Sequence, residues 1–219
     1  MKTGNLCAKC HQARTYTHTN DTYDSVNASG TATYSRFGPH YGVQTNVFTW
    51  NGLEDVSGFT SVTNQHALLA EGCVTCHMAS VTNNTASGGH TFITTAALLT
   101  RSAEFNQSTP KCSTCHDSAT IVKGDVAKQV KADLDKIRTF LITNKYIDTS
   151  NVTELRSEAN ERWHLGDYFA ATNVKKGIRR DTSQVILNYL YIWRDRSNGA
   201  HNPVNIKAMI AAMKTFLGI

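Results

Sequence analysis

All six cysteines of this chain belong to three copies of one pattern, Cys-x-x-Cys-His. The copies span residues 7–11, 73–77 and 112–116. Cysteines three residues apart lie on one side of a helical turn, where both thiols can form thioethers to the two vinyl groups of one haem. The histidine that follows can then turn under the ring and ligate the iron. The pattern therefore predicts three covalently attached haem c (heme c) groups.

Each motif assigns two kinds of site residue. The predicted attachment cysteines are Cys7, Cys10, Cys73, Cys76, Cys112 and Cys115, and the predicted proximal iron ligands are His11, His77 and His116. Other uses of paired cysteines fit less well. A thiolate zinc site needs no histidine directly after each pair and takes cysteines in fours. A Cys-x-x-Cys disulfide is strained and belongs to redox catalysis.

The length and the charge of the chain limit the number of domains and the kinds of partner that we expect. A chain of 219 residues forms one or two domains. The formal net charge of +5 omits the haem propionates; three ferric haems with two histidine ligands, at roughly −1 each, lower it to about +2.

Lys and Arg form no run interleaved with aromatic residues, so we expect no nucleic-acid partner. We also expect no membrane span, because no stretch approaches the ~18 apolar residues required.

The first residues contain no hydrophobic export segment, although covalent haem attachment takes place outside the cytoplasm. We therefore expect an extracytoplasmic chain that has lost a signal peptide, or an N-terminally truncated fragment. Five Asn-x-Ser/Thr sequons permit glycosylation or arise by chance in a Thr- and Asn-rich chain; they begin at Asn20, Asn27, Asn83, Asn106 and Asn151.

Composition divides the chain into a loop-rich three-haem segment, residues 1–121, and a helical segment, residues 122–219, that supplies a distal histidine. We expect the two segments to form one cooperative unit. Gly, Thr and Asn clusters in the first segment predict loops with short helices at the motifs and few strands. The porphyrins can supply the apolar interior that this segment lacks, so the apoprotein is not expected to fold normally.

The second segment has the periodicity of helices. Apolar residues recur at helical spacing from Asp125 onward, directly after Gly124. Three further helices are predicted over residues 152–172, 183–195 and 203–217, and the last has Pro203 in its first turn. The predicted fold class is mainly coil with short helices around the haems, plus an α-helical C-terminal part.

Each motif supplies one axial ligand, so the second must come from elsewhere. Four histidines stand beside glycines, prolines or a motif that could fix a ligand: His40, His66, His90 and His201. His18 and His164 lack such neighbours. Methionine is the alternative sixth ligand, but Met78 directly follows its own proximal histidine, and Met209 and Met213 have the spacing of core residues.

The order of these segments resembles the C-terminal half of the ammonia-forming cytochrome c nitrite reductase family and its multihaem relatives. The most specific pieces are CVTCHM at 73–78, GGHTF at 88–92 and HNP at 201–203, within a resemblance over roughly residues 34–217. Among those relatives are small tetrahaem cytochromes that polymerise into extracellular nanowires. The resemblance implies a multihaem cytochrome c fold with a helix-poor haem segment and a helical C-terminal part.

The resemblance also implies two distal pairings, His201 with the haem on His77 and His66 with the haem on His116. For the haem on His11 it leaves either His40 or His90. The chain departs from the family because it keeps four framed distal candidates for three haems, as though an upstream attachment site were absent. One candidate is therefore surplus, or it ligates a haem of a neighbouring subunit.

Enough histidines are present to complete every iron, which favours an electron carrier with closely spaced bis-histidine haems. We do not expect an enzyme, because the nitrite-reducing relatives use an open haem on a motif ending in Lys, and this sequence has no such motif. The resemblance favours a homopolymer, an extracellular filament that exchanges electrons with other redox proteins or extracellular electron acceptors. The alternatives are a monomeric periplasmic electron shuttle and a haem reductase of the nitrite reductase type.

Overall fold

The computed structural model describes residues 3–13, 22–23, 39, 42–79, 92, 112–117, 125–146 and 178–219. Its α-helices are α1 (Asn5–Cys10), α2 (Gln44–Thr49), α3 (Cys73–His77), α4 (Asp125–Thr143), α5 (Arg180–Asp195) and α6 (Pro203–Leu217). Two 3₁₀ turns cover Gln65–Leu68 and Cys112–Thr114. Strands β1 (Thr22–Tyr23) and β2 (Ile178–Arg179) pair antiparallel, with Thr22 opposite Arg179. In the described part of the chain, every helix is too short or too polar to cross a bilayer.

The three motifs lie on short helical turns. The first occupies α1, the second occupies α3, and the third lies on the 3₁₀ turn at Cys112–Thr114. In the third motif the backbone N–H of His116 donates to the carbonyl oxygen of Cys112 at 2.9 Å. The prediction of short helices at the motifs is therefore confirmed.

Two of the predicted C-terminal helices are confirmed, α4 at its predicted start and α6 at both ends. Helix α4 begins at Asp125, whose carboxylate suits the positive end of the helix dipole. Helix α6 begins at Pro203 after Asn202, whose side-chain oxygen accepts from a backbone N–H of the first turn at 3.4 Å. It ends before Gly218, which adopts the left-handed conformation at φ 70°.

Helix α5 begins at Arg180 instead of Ser183, so the predicted start was three residues late. Arg179 is extended as the last residue of β2, and the helix follows it directly. Sequence periodicity did not show this start, because the first turn carries no apolar residue. The helix predicted over 152–172 lies outside the described residues.

The apolar core lies where α4, α5 and α6 pack on one another. Its members from α4 are Val130, Leu134, Ile137 and Leu141; α5 contributes Val185, Ile186, Leu187, Tyr189, Leu190, Tyr191 and Ile192; α6 contributes Ile206, Met209, Ile210, Ala212 and Met213. Residues of the first segment join the same core: Ala13, Val43, Val47 and Val56. Met209 and Met213 are fully buried, which confirms them as packing residues.

Buried asparagines of the helices bind the loop that leads to the second motif. On α5, the Asn188 amide accepts from the backbone N–H of Glu54 at 2.8 Å and donates to its carbonyl at 2.7 Å. On α6, Asn205 makes the same two bonds with Val62, at 2.8 and 2.7 Å. Each side chain thus satisfies both backbone groups of one residue, as a neighbouring strand would. These bonds fix the chain entering the 3₁₀ turn that carries His66.

Candidate functional site

The first motif packs against the start of α2. The Nδ1–H of His11 donates to Oε1 of Gln44 at 3.1 Å, and the backbone N–H of Thr45 donates to the His11 carbonyl at 2.8 Å. Gly42 permits this approach, because its φ is +82° and a Cβ there would lie 2.9 Å from the carbonyl oxygen of Cys10. The motif is therefore held from one side by backbone and amide contacts.

The first and second motifs are in contact. A Cβ at Gly4 would lie 3.0 Å from the carbonyl oxygen of Glu71 and 3.2 Å from the backbone nitrogen of Cys73. The Thr3 hydroxyl donates to the Glu71 carboxylate. Burial raises the pKa of the Cys73 thiol, and the nearby Cys7 raises it further. None of the six motif cysteines is in a disulfide bond.

His77 of the second motif faces His201 from the turn between α5 and α6. Their ring centroids are 6.1 Å apart with an interplanar angle of 48°. The Nδ1–H of His77 donates to the carbonyl oxygen of Phe92 at 2.8 Å. The Nδ1–H of His201 donates to the Oδ1 atom of Asp195 at 2.6 Å. Each ring is thus oriented by an acceptor at its Nδ1 atom.

His116 of the third motif faces His66 in the same manner. The two ring centroids lie 5.9 Å apart, and the rings are nearly perpendicular at 87°. The Nδ1–H of His66 donates to the carbonyl oxygen of Ala200 at 2.8 Å. His116 and its neighbour Cys115 are exposed.

The spacing within the two pairs suits two axial ligands of one metal ion. With each imidazole nitrogen about 2 Å from the metal, two rings on opposite sides have centroids roughly 6 Å apart. A carbonyl or carboxylate can only accept a hydrogen bond, so the Nδ1 atoms of His66, His77 and His201 carry the proton. In the neutral form of each ring Nε2 is then the unprotonated nitrogen, which is the atom that can bind a metal.

Asn64 connects the two pairs. Its amide nitrogen donates to the carbonyl oxygens of Phe48 and His201, each at 2.7 Å. Its side-chain oxygen accepts from the backbone N–H of His66 at 3.2 Å. Since the His66 ring also donates to the Ala200 carbonyl, two hydrogen bonds join the segment 64–66 to the segment 200–201. The candidate distal ligands are therefore positioned as one unit.

The facing rings of His77 and His201 differ in their electrostatic environment. Burial lowers the pKa of His77, and the neighbouring His201 lowers it further, although the Phe92 carbonyl acts in the opposite direction. Burial by itself would lower the pKa of His201, but the negative charge of Asp195 and its hydrogen bond outweigh burial and raise it. His77 thus favours the neutral form, while His201 is the more basic ring.

The surroundings of the motifs also fit a flat apolar group. Large apolar side chains stand exposed beside motif or ligand residues: Leu6 at 78%, Leu68 at 65% and Phe92 at 53%. A porphyrin bound through the adjacent cysteines could cover such side chains. Nowhere in the described residues do three or more His, Cys, Asp or Glu side chains form a group able to hold a metal ion. A pair of axial imidazoles suits an iron whose other four ligands are porphyrin nitrogens.

The described residues include the three motif histidines, His66 and His201, whereas His18, His40, His90 and His164 lie outside them. The distal partner of the first motif, His40 or His90, therefore stays a prediction. Sequence reasoning missed the residues that orient the rings, namely Gln44, Asn64 and Asp195. No local pattern marks them, because their partners are brought close by the fold.

Comparisons of this chain with protein-family models, with curated proteins and with solved structures found no match. Its function is therefore argued from the motifs and the two histidine pairs.

Proposed function

We propose that this chain is a multihaem c-type cytochrome that carries electrons one at a time, with three haem c groups attached through its motif cysteines. One observation carries the proposal: a motif histidine and a histidine from elsewhere face each other at 6.1 Å in one pair and at 5.9 Å in the other. A haem iron held between two imidazoles exchanges single electrons between its ferric and ferrous states. Two occupied axial positions leave none for a substrate, which favours electron transfer over catalysis.

The residues around the pairs support this role by holding the axial rings. The carbonyls of Phe92 and Ala200 and the carboxylate of Asp195 each fix one ring through Nδ1. The Asn64 amide then ties the two distal segments to each other. Rings held in this way have little freedom to move when the charge of the site changes, which suits rapid one-electron exchange.

The arrangement of the three motifs supports a relay with two surface ends. The segment directly before the first motif contacts the second motif at Gly4, and the partner of the second is tied through Asn64 to the partner of the third. His11 and His116 at the outer motifs are exposed, while His77 in the middle is half-buried. We extend the proposal to an extracellular filament of identical subunits, which passes electrons between exposed outer sites and on to other redox proteins or extracellular acceptors.

The ligand assignment is tested with His66→Ala and His201→Ala. We expect the wild type to contain three haem masses by denaturing mass spectrometry and to show low-spin spectra without carbon monoxide binding. Each variant opens one iron, so it should gain one high-spin signal and bind one carbon monoxide per chain when reduced. His18→Ala is the control and should keep the wild-type spectrum. Stoichiometric carbon monoxide binding by the wild type would favour the reductase alternative.

The assembly is tested by cryo-EM of native material. A filament predicts head-to-tail copies whose first and third motifs meet across each subunit boundary, since an open heterologous contact propagates. Monomers or closed dimers with every iron ligated within one chain would replace the filament with the periplasmic shuttle.

A further inference from the structure

The four described histidines with an oriented Nδ1 differ in the charge of the acceptor. His66 and His77 donate to backbone carbonyls, and His11 donates to the neutral amide of Gln44. His201 donates to a carboxylate, that of Asp195, over 2.6 Å. One of the two pairs therefore includes a ring bound to a formal negative charge, whereas in the other pair the ring of His66 is bound to a neutral carbonyl.

The position of Asp195 is a poor one for a merely structural carboxylate. The residue ends α5, and an anion at the C-terminal end of a helix faces the negative end of the helix dipole, at a cost of about 0.3–1 kcal/mol. Its side chain is 0% exposed, so water does not screen the charge. Ser197 donates to the second oxygen of the carboxylate, and the Ser197 hydroxyl accepts from the backbone N–H of His201. Both oxygens of the carboxylate are thus hydrogen-bonded, one to the ring of His201 and the other to Ser197.

A carboxylate on Nδ1 makes an imidazole more electron-donating at Nε2. A stronger donor stabilises the more highly charged ferric state relative to the ferrous state, which lowers the reduction potential. A tenfold change in the ratio of ferric to ferrous affinity corresponds to about 59 mV for one electron. Backbone carbonyl acceptors, as at His66 and His77, polarise the ring less because they carry no net charge.

We infer that Asp195 acts through His201 to give the haem between His77 and His201 a lower reduction potential than the haem between His66 and His116. This inference rests on the proposed function. Asp195 is a positioning and tuning residue, and it sets a difference between two neighbouring sites of a relay. Electrons supplied by a reduced donor would then favour the site of the third motif over that of the second.

The experiment is a spectroelectrochemical titration of the holoprotein, in which each iron takes one electron from a redox mediator. Asp195→Asn keeps the size of the side chain and removes the charge. We expect one midpoint potential to rise by an amount equivalent to roughly a tenfold change in relative affinity, about 59 mV, while the other two stay in place. Asp195→Glu should restore most of the low potential. Three unchanged potentials, or three equal shifts, overturn the inference.

Two further variants separate charge from structure. Asp135→Asn removes an equally charged group from an exposed ion pair on α4 and should leave all three potentials unchanged. Ser197→Ala removes one contact of Asp195 but keeps the carboxylate, so its shift should be a small part of that in Asp195→Asn. An equal shift in Ser197→Ala means that the loop geometry, and not the charge, sets the potential, and this overturns the inference.

The order of potentials can be tested even if Asp195→Asn does not assemble. A methionine ligand raises the potential of the haem that it binds, so His201→Met marks one haem. His66→Met marks the haem of the third motif in the same way. The inference requires the wild-type potential that disappears in His201→Met to be lower than the one that disappears in His66→Met, and the reverse order overturns it. A wild-type protein without haem defeats the proposed function itself, whereas intact haems with the wrong order defeat only the role of Asp195.

Discussion

The helices α4, α5 and α6 and the three motif turns are stabilised in different ways. The helices bury complete apolar faces against one another, and residues such as Ile137, Leu187 and Met209 are 0% exposed. Helix α3 at the second motif has no buried residue, and apolar side chains beside the motifs are exposed. The first motif turn is instead hydrogen-bonded to the start of α2, and the loop before the second motif is hydrogen-bonded to α5 and α6. The comparison teaches that burial of apolar faces stabilises the helical core, while polar contacts hold the motif region, and the proposed function adds an attached haem at each motif.

Preventing haem attachment should have the largest effect, because it should destabilise the motif region more than the helical core. A chain with all six motif cysteines replaced by serine lacks the covalent groups that would cover the apolar side chains at the motifs. We expect its amides in residues 42–79 to lose hydrogen-exchange protection, while α5 and α6 keep part of theirs. Hydrogen exchange with mass spectrometry compares the two proteins. Equal protection of residues 42–79 in both would show that the motif region folds without the haems.

Truncation of the helical core is the next largest change. Ile137→Ala should lower the free energy of unfolding by about 2–5 kcal/mol, because Ile137 is fully buried and leaves a cavity. Urea unfolding of the holoprotein measures this change. Val126→Ala on the same helix is the control, since Val126 is 39% exposed. We expect native haem spectra in both variants. Altered axial ligation in Ile137→Ala would mean that ligation at the motifs depends on the packing of the helical core.

Removing an asparagine contact tests the polar link between the regions. Asn205→Ala leaves both backbone groups of Val62 without their side-chain partner, which should cost about 1–3 kcal/mol. The loss should be accompanied by faster amide exchange at Val62. Asn144→Ala, which removes a contact within the last turn of α4, should cost less and leave exchange at Val62 unchanged. The same exchange rate in all three proteins would contradict the role of Asn205.

The smallest expected effect lies within the helical core. Burial alone would raise the pKa of Asp133, but hydrogen bonds from Lys214 and Gln129 lower it below its ordinary value of 3.8. A lowered pKa adds stability above pH 3.8, and this part is lost as the pH falls through the folded-state pKa. Asp133→Asn should cost on the order of 1 kcal/mol near neutral pH. The difference from wild type, measured by urea unfolding, should shrink in acid; a constant difference would assign the cost to packing.

Features that depend on neighbouring residues were predictable from the sequence. Short helices at the motifs and the bounds of α6 follow from local spacing, from Pro203 and from Gly218. The start of α4 at Asp125 follows from its apolar periodicity. The start of α5 was missed because it depends on pairing of Arg179 with a strand far away in the chain.

The sequence by itself determined the chemistry that is available: three Cys-x-x-Cys-His motifs and further histidines able to serve as ligands. It could do so because each motif acts within one turn, where covalent geometry sets the distances. Only the tertiary structure decided that His77 faces His201, that His66 faces His116, and that Asp195 contacts just one of these rings. The two contacts between histidine rings join segments distant in sequence, which the packing of α5 and α6 and the hydrogen bonds of Asn64 bring together. The contact of Asp195 with His201 depends on the turn between α5 and α6.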